Sequence, residues 1–262
     1  MWHLIRAVLL LIPRILWDYF AWMLRYSGKK KDKVPLEKRY GKVRSLLTKV
    51  LKRLRVDIIV LGKENMPKEK SCYYANHLGA CDPLMYFPIF EEPVSFLAKI
   101  EIKKMPFVGR VFTATDGAFL KRDDLKQQLK VMMGVQKALE NKSTNFFVFP
   151  EGTRNKDQMK RIADFHHGTF RAAMKAKVPL VPVVNYGSFR ILSTKKNYKR
   201  YPAIIKFLPP IYPEEYEGKS TEEVAKMIQS IIQRELSFSV RKIDQEYMAK
   251  VNGKKYRFNE VF

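Results

Sequence analysis

The sequence predicts an α/β protein: a mostly parallel central sheet flanked by helices, behind an N-terminal two-helix segment suited to a membrane surface. Three observations predict it. Seven short β-rich runs recur from residue 56 onward, helical stretches with an apolar stripe lie between several of them, and the first 55 residues differ in composition from the rest. At 262 residues the chain can bury one core and carry appendages. The expected division is 1–55 for the membrane-associating helices, 56–240 for a catalytic domain and 241–262 for a C-terminal tail.

The N-terminal stretch from Leu4 to Met23 is apolar but interrupted by Arg6, Pro13, Arg14 and Asp18. Charges at bilayer depth are costly, so the segment reads as lying in one leaflet, with a single span as the alternative. Trp2, Trp17, Tyr19, Trp22 and Tyr26 suit the interfacial zone, where an apolar ring with a polar tip is at home. Val8–Ile12 is a short apolar core with no small-residue cleavage site after it, unlike a cleavable signal peptide. Lys29 to Lys33 reads as a solvated connector. A second helix is expected over Leu36–Leu54, with Val43, Leu46, Leu47, Val50 and Leu54 on one face. Its other face carries Lys38, Arg39, Lys42, Arg44, Lys49, Lys52 and Arg53, with Arg55 just beyond. Between Lys29 and Arg55 there are twelve basic residues against two acidic ones. This pattern suits an anionic membrane surface or, equally, a core helix with a solvated basic face.

Strands are expected at Val56–Leu61, Ser71–Ala75, Val94–Ala98, Ala118–Lys121, Asn145–Phe149, Leu180–Asn185 and Ala203–Phe207. Asp123 or Asp124 should cap a helix through Leu139, with Leu125, Leu129, Met132 and Met133 buried. A further helix is expected over Thr169–Lys177. Ser220 to Glu223 reads as a capping box opening a helix with Val224, Met227, Ile228, Ile231 and Ile232 on one stripe. The residues after Ser239 mix charge and aromatics and receive no element.

Fifty Lys and Arg against twenty-six Asp and Glu give a net charge of +24. Such an excess attracts polyanions: nucleic acid, an anionic membrane or phosphorylated substrates. No zinc-finger or RNA-recognition signature is present, so no nucleic-acid partner is expected. The two cysteines, Cys72 and Cys81, allow neither a disulfide framework nor a four-ligand zinc set and read as reduced thiols.

The chemistry concentrates in two stretches. Asn76 to Pro83 follows a predicted strand, and Asp82-Pro83 suits the N-cap and first turn of a short helix through Phe87. His77 then sits where a strand leaves the sheet, a usual place for active sites in open α/β folds. Across a loop containing Gly79, the Asp82 carboxylate can fold back onto the imidazole. A carboxylate on one ring nitrogen fixes the tautomer and leaves the other to take a proton. The second stretch, Pro150 to Asn155, follows another strand. Its Gly, Thr and Arg can offer amides, a hydroxyl and a guanidinium to a phosphate or oxyanion.

Together these stretches resemble the glycerolipid acyltransferase family. Asn76, His77 and Asp82 match its first motif, Asn-His, four residues, Asp. Phe149–Arg154 matches Phe-Pro-Glu-Gly-Thr-Arg without a change. Val181-Pro182-Val183 looks like the fourth motif, and Ala98 to Glu101 with Pro106 and Gly109 like an intermediate segment. The resemblance covers residues 62 to 211. Two departures stand out: Asp116 where the second motif usually has Gly, and His166 where a Lys usually follows Phe165. His166 and His167 read as polar residues at a helix entry.

The resemblance implies a glycerol-3-phosphate acyltransferase-like fold and a transfer of a fatty acyl group from acyl-CoA or acyl carrier protein to a lysophospholipid, foremost lysophosphatidic acid. It implies His77 as general base and Asp82 as its orienting partner. Asn76, Lys99, Arg122, Glu151, Gly152, Thr153 and Arg154 are implied in substrate binding, with amides near Gly152 as oxyanion donors. Neither metal nor cofactor is expected, because the thioester is already activated. Association with an anionic membrane surface, with the site facing the cytoplasm, is expected as well. The competing readings are glycerol-3-phosphate or another lysolipid as acceptor, a thioester hydrolase, a non-enzymatic basic binder, and an acyl-enzyme route through Cys81.

Overall fold

The computed structural model describes residues 13, 16–28, 31–155, 161–192 and 198–252. Trp2, Arg6, Val8–Ile12, Arg14, Lys29 and Lys30 lie outside the described residues. Seven strands form one sheet in the order β1-β7-β6-β2-β5-β3-β4: β1 (Val56–Leu61), β2 (Cys72–Ala75), β3 (Val94–Lys99), β4 (Ala118–Leu120), β5 (Asn145–Val148), β6 (Leu180–Tyr186) and β7 (Tyr201–Phe207). Strands β2 to β6 run the same way. Strand β7 pairs antiparallel to β6, and β1 pairs parallel to β7, so these two run backwards.

The central strands are buried on both faces, as a helix-covered parallel sheet requires, so they read as continuous apolar runs. Successive side chains still divide between the faces. Tyr73 joins Phe147, Phe96, Phe87 and Phe207 on one side, while Tyr74 stacks on Phe170 on the other, with ring centroids 4.0 Å apart. The first side is closed by α1 (Leu36–Arg53), α2 (Asp82–Tyr86), α3 (Ile100–Lys103) and α4 (Val108–Ala114). The second is closed by α5 (Leu125–Glu140), α6 (Arg171–Lys175), α7 (Pro213–Tyr216) and α8 (Thr221–Asn252).

Helix α1 buries Val43, Leu46, Leu47 and Val50, so the core-packing reading holds for its apolar face. Arg39, expected on the solvated basic face, is buried instead. Its guanidinium forms a bidentate pair with Asp116 at 3.0 and 2.8 Å and also bonds the Ala114 carbonyl. Lys31 reaches the same carboxylate at 2.5 Å. Burial pushes the Asp116 carboxyl up, but Arg39 and Lys31 outweigh it and leave it below the usual range. Asp116, where the resemblance expects Gly, has φ +52, a left-handed conformation that aspartate tolerates, and its side chain anchors α1.

Ahead of α1, Tyr19–Met23 is a π-helical turn running into a helical turn at Leu24–Ser27. Leu16, Trp17, Phe20 and Leu24 are exposed, whereas Asp18 is buried and accepts from the Trp22 indole at 2.9 Å. Among the described residues no helix is long and apolar enough to cross a membrane.

Helix α5 starts as expected, with the Asp124 carboxylate accepting from Gln127 N at 3.0 Å. Its buried face differs from the expectation: Val135 and Leu139 are buried and Met132 partly so, while Leu125, Leu129 and Met133 are exposed. At about 100° per residue the apolar sector of this helix is wider than the surface the core covers, and one flank is left outside. The capping box at α8 is present, with Ser220 N to Glu223 Oε2 at 2.7 Å and Glu223 N to Ser220 Oγ at 3.2 Å. Val224, Ile228 and Ile232 are buried and Met227 and Ile231 partly so. The helix passes unbroken across residues 240–241, where the sequence reading places a boundary, and Asp244 pairs with Arg190 in a buried ion pair.

Candidate active site

Because β2 to β5 run in parallel, their C-terminal ends share one edge. That edge carries His77 after β2, Lys99 at the end of β3, Arg122 after β4 and the Phe149–Arg154 turn after β5. Loop and turn are joined at two points. His77 N donates to Glu151 Oε1 at 2.7 Å, and Asn155 N donates to the His77 carbonyl at 2.8 Å. The His77 ring lies on the Phe149 ring, with centroids 4.5 Å apart.

His77 Nδ1 lies 2.8 Å from Asp82 Oδ2. The same oxygen accepts from Leu78 N at 2.7 Å and Gly79 N at 3.0 Å. Oδ2 accepts from both amides, so the geometry suits a ring that donates from Nδ1 to the same oxygen and turns Nε2 away from the carboxylate. Asp82 is fully buried, and no hydrogen-bond partner stands opposite Oδ1 among the described residues. Asp82 does not take the expected capping role: the N-cap of α2 is Cys81, and the Asp82 side chain turns back over its own loop. Three acceptor bonds in that direction outweigh one at the helix end. The loop also needs close backbone approach, since a Cβ on Gly79 would lie 2.8 Å from the Ser188 carbonyl oxygen.

Two residues expected to touch substrate are instead buried struts. Asn76 Nδ2 donates to the Asn185 carbonyl at 3.0 Å. In return Asn185 donates from its backbone to Asn76 Oδ1 and from its side chain to the Asn76 carbonyl, each at 2.8 Å. Tyr86 closes the cluster by donating to Asn185 Oδ1 at 2.5 Å. All three are fully buried, and a buried amide is stable only when paired in this way. Glu151 accepts from His77 N and from Ala163 N at 2.8 Å, tying the loop to the segment beyond the turn. Burial pushes its carboxyl up, and the two amides partly offset this. Sequence spacing could not reveal Asn185 or Tyr86, since Asn185 lies 109 positions from Asn76.

The other side of the turn is open. Arg122 donates to the Gly152 carbonyl at 2.6 Å and is exposed, as are Thr153 and Arg154. Lys99 is half-buried and lies level with Leu120, two residues before Arg122. Gly152 has φ +63. A Cβ there would fall 2.4 Å from an Arg122 nitrogen and 2.9 Å from the His166 ring, so only glycine lets both side chains approach. His166 therefore belongs to the rim of the site, while His167 bonds Thr221 Oγ1 at 3.0 Å beside the start of α8. The Gly152 amide is occupied by the Phe149 carbonyl at 2.9 Å, which removes it as an oxyanion donor. Cys81 is buried and its thiol is pushed up to about 12 by burial, with Asp82 adding to the shift. A thiol held neutral in this way is a poor nucleophile.

The family model described as Acyltransferase matches residues 57–186. A "Probable 1-acyl-sn-glycerol-3-phosphate acyltransferase" of Mycoplasma pneumoniae is 28% identical over 210 residues, covering 75% of this chain and 77% of that protein. A 1-acyl-sn-glycerol-3-phosphate acyltransferase of Saccharomyces cerevisiae is 31% identical over 179 residues. That match takes in 67% of this chain and 58% of the yeast protein. Among solved structures, the 1-acyl-sn-glycerophosphate (LPA) acyltransferase PlsC of Thermotoga maritima superposes with a TM-score of 0.68 at 23% identity. It covers 92% of this chain and 98% of that one, a likeness of fold.

Proposed function

The chain belongs to the acyltransferase family, and on that premise we propose that it moves a fatty acyl group from a thioester to the free hydroxyl of 1-acyl-sn-glycerol-3-phosphate, forming phosphatidic acid. The observation that carries the reading is one imidazole held by a buried carboxylate on the same sheet edge as the exposed Arg122 and Arg154 and the half-buried Lys99.

In this reading His77 Nε2 takes the proton of the acceptor hydroxyl as its oxygen bonds to the thioester carbonyl carbon. The tetrahedral intermediate collapses, the carbon–sulfur bond breaks, and the imidazolium returns the proton to the leaving thiolate. General-base assistance of this kind contributes about 10²- to 10⁴-fold. Asp82 holds the ring and stabilises its charged form. Arg122 and Arg154, with Lys99 beside them, hold the acceptor phosphate. The Arg122 guanidinium keeps further N–H donors for it while one is engaged by Gly152. The donor is acyl-CoA or acyl carrier protein. The exposed Leu16, Trp17, Phe20 and Leu24 support contact of the N-terminal segment with a membrane surface.

The test is a matrix of acyl donors and acceptors with the purified protein in detergent, with products identified by mass. Labelled phosphatidic acid should form from lysophosphatidic acid, and His77→Ala should abolish it while leaving the thermal unfolding midpoint in place. Wild-type turnover in that variant would remove His77 from the mechanism. Thiol release without any acceptor would make the protein a hydrolase.

A further inference from the structure

We propose that the outer flank of α5 is a second lipid-contact surface, which seats the catalytic domain on an anionic bilayer beside the site mouth. The inference rests on the reading of the acceptor as a bilayer lipid.

Leu125, Leu129 and Met133 are 70%, 47% and 69% exposed. They follow one another at four-residue intervals, each turned about 40° from the last and about 6 Å further along the axis. The result is a continuous aliphatic band about 12 Å long on the surface of a folded domain. Isolated exposed leucines need no explanation, but three in one band call for a partner. The core does not supply it, because α5 already buries Val135 and Leu139 on its inward face.

The position and charge of the band indicate the partner. It begins three residues after Arg122, and the Gln128 side chain on the same helix holds the Arg122 carbonyl at 2.8 Å. The band thus starts at the corner where the acceptor phosphate is to be held. On its outer side lie the exposed Lys126, Lys130 and Lys137, within about 60° of Met133 around the axis. An aliphatic band edged by lysines lets the band enter the acyl region while the ammonium groups stay among anionic headgroups. Asp123 precedes the helix and pairs with Lys121 at 4.0 Å, and Glu140 lies at the far end, bonded by Gln136. No acidic side chain stands between Leu125 and Met133 in the helix sequence.

The experiment compares the full-length protein with two variants, Leu125→Gln/Leu129→Gln/Met133→Gln and Lys126→Glu/Lys130→Glu. All five residues are exposed, and thermal unfolding checks that the fold is kept. Acyl transfer from acyl-CoA and, in a parallel series, from an acylated acyl carrier protein is measured to lysophosphatidic acid in phosphatidylcholine–phosphatidylglycerol vesicles and, separately, to a water-soluble short-chain lysophosphatidate. Both variants should lose about tenfold or more in turnover on vesicles and sediment less with them, while turnover of the soluble acceptor is unchanged. Equal turnover and equal vesicle binding would overturn the proposal. A loss confined to acyl carrier protein as donor would assign the band to an acidic carrier and overturn it too. Self-association of the wild type that both variants lose, seen by light scattering, would make it a contact between copies of the chain and do the same. If the wild type acylates no lysolipid at all, the proposed function fails, and vesicle binding alone still decides this inference.

Discussion

His77 stands in a frame of buried hydrogen bonds, whereas Arg122, Thr153 and Arg154, across the same turn, face solvent. The carboxylate behind the imidazole is fully buried and takes three hydrogen bonds on one oxygen, and the residue before His77 is locked to β6 by three more. On the open side, Arg122 is held to the turn at a single carbonyl. On the proposed function, the difference follows from what each half would have to do. A general base works only within a few tenths of an ångström of its proton, so its geometry is fixed before substrate arrives. A phosphate is held by charge, which tolerates adjustment and gains from donors left available.

The sharpest way to break this contrast is Asp82→Asn. The isosteric amide keeps the shape but loses the charge, and kcat should fall about 10²- to 10⁴-fold with little change in the acceptor KM. Steady-state kinetics with the acceptor varied would check it. A parallel rise in KM would mean that the carboxylate shapes the binding pocket too. Next comes Glu151→Gln. One of the two amides that Glu151 receives would meet an amide NH₂ instead of an oxygen, at a cost of about 1–3 kcal/mol in urea unfolding together with a fall in kcat. If KM alone moved, Glu151 would belong to the open side after all. Arg122→Ala should raise the acceptor KM about tenfold or more and leave kcat nearly unchanged. That split between the two constants is what separates the open side from the framed one.

The smallest effect is expected at Asp116. Asparagine tolerates the left-handed conformation, so Asp116→Asn isolates the charge. The folded carboxyl titrates below its unfolded value, so the stability it contributes is present above the unfolded value and lost as pH falls through the folded one. The variant should be about 1 kcal/mol less stable at neutral pH, a modest figure because the carboxylate is 33% exposed. That gap should close in acid. Denaturant melts at several pH values would read it, and a pH-independent gap would place the effect in the backbone.

The two halves were also unequally legible in the sequence. Strand positions and the two stretches at Asn76–Pro83 and Phe149–Arg154 follow from local signals: apolar runs, a proline after aspartate, a glycine in a tight turn; that the two stretches act together came from the family resemblance. Asn76 and Glu151 sit inside those same motifs, yet their side chains point into the protein. Their partners at Asn185 and Ala163 come from other elements, and spacing says nothing about them. The reversed direction of β1 and β7 was equally hidden, since an apolar run has the same pattern either way. Arg39 reads as one more surface cation until Asp116, from a separate element, comes to meet it. In α5 the periodicity found an apolar sector but not how much of it the rest of the fold would cover.

The two strands that run backwards have an electrical consequence. Had β7 followed the direction of β6, the start of β1 would lie at the far end of the sheet. As it is, Val56 and Tyr201 stand level with each other at the end of the sheet where β6 finishes and the reaction is proposed to occur. The last turn of α1, with Lys52 and Arg53, is thereby brought round to that end, and Arg55 lies over the Tyr201 ring at 5.8 Å. Positive charge from a helix distant in sequence is thus added to that of Lys99, Arg122 and Arg154. Positive charge spread along this end of the sheet, from the β1 edge toward the β4 edge, favours the approach of negatively charged molecules.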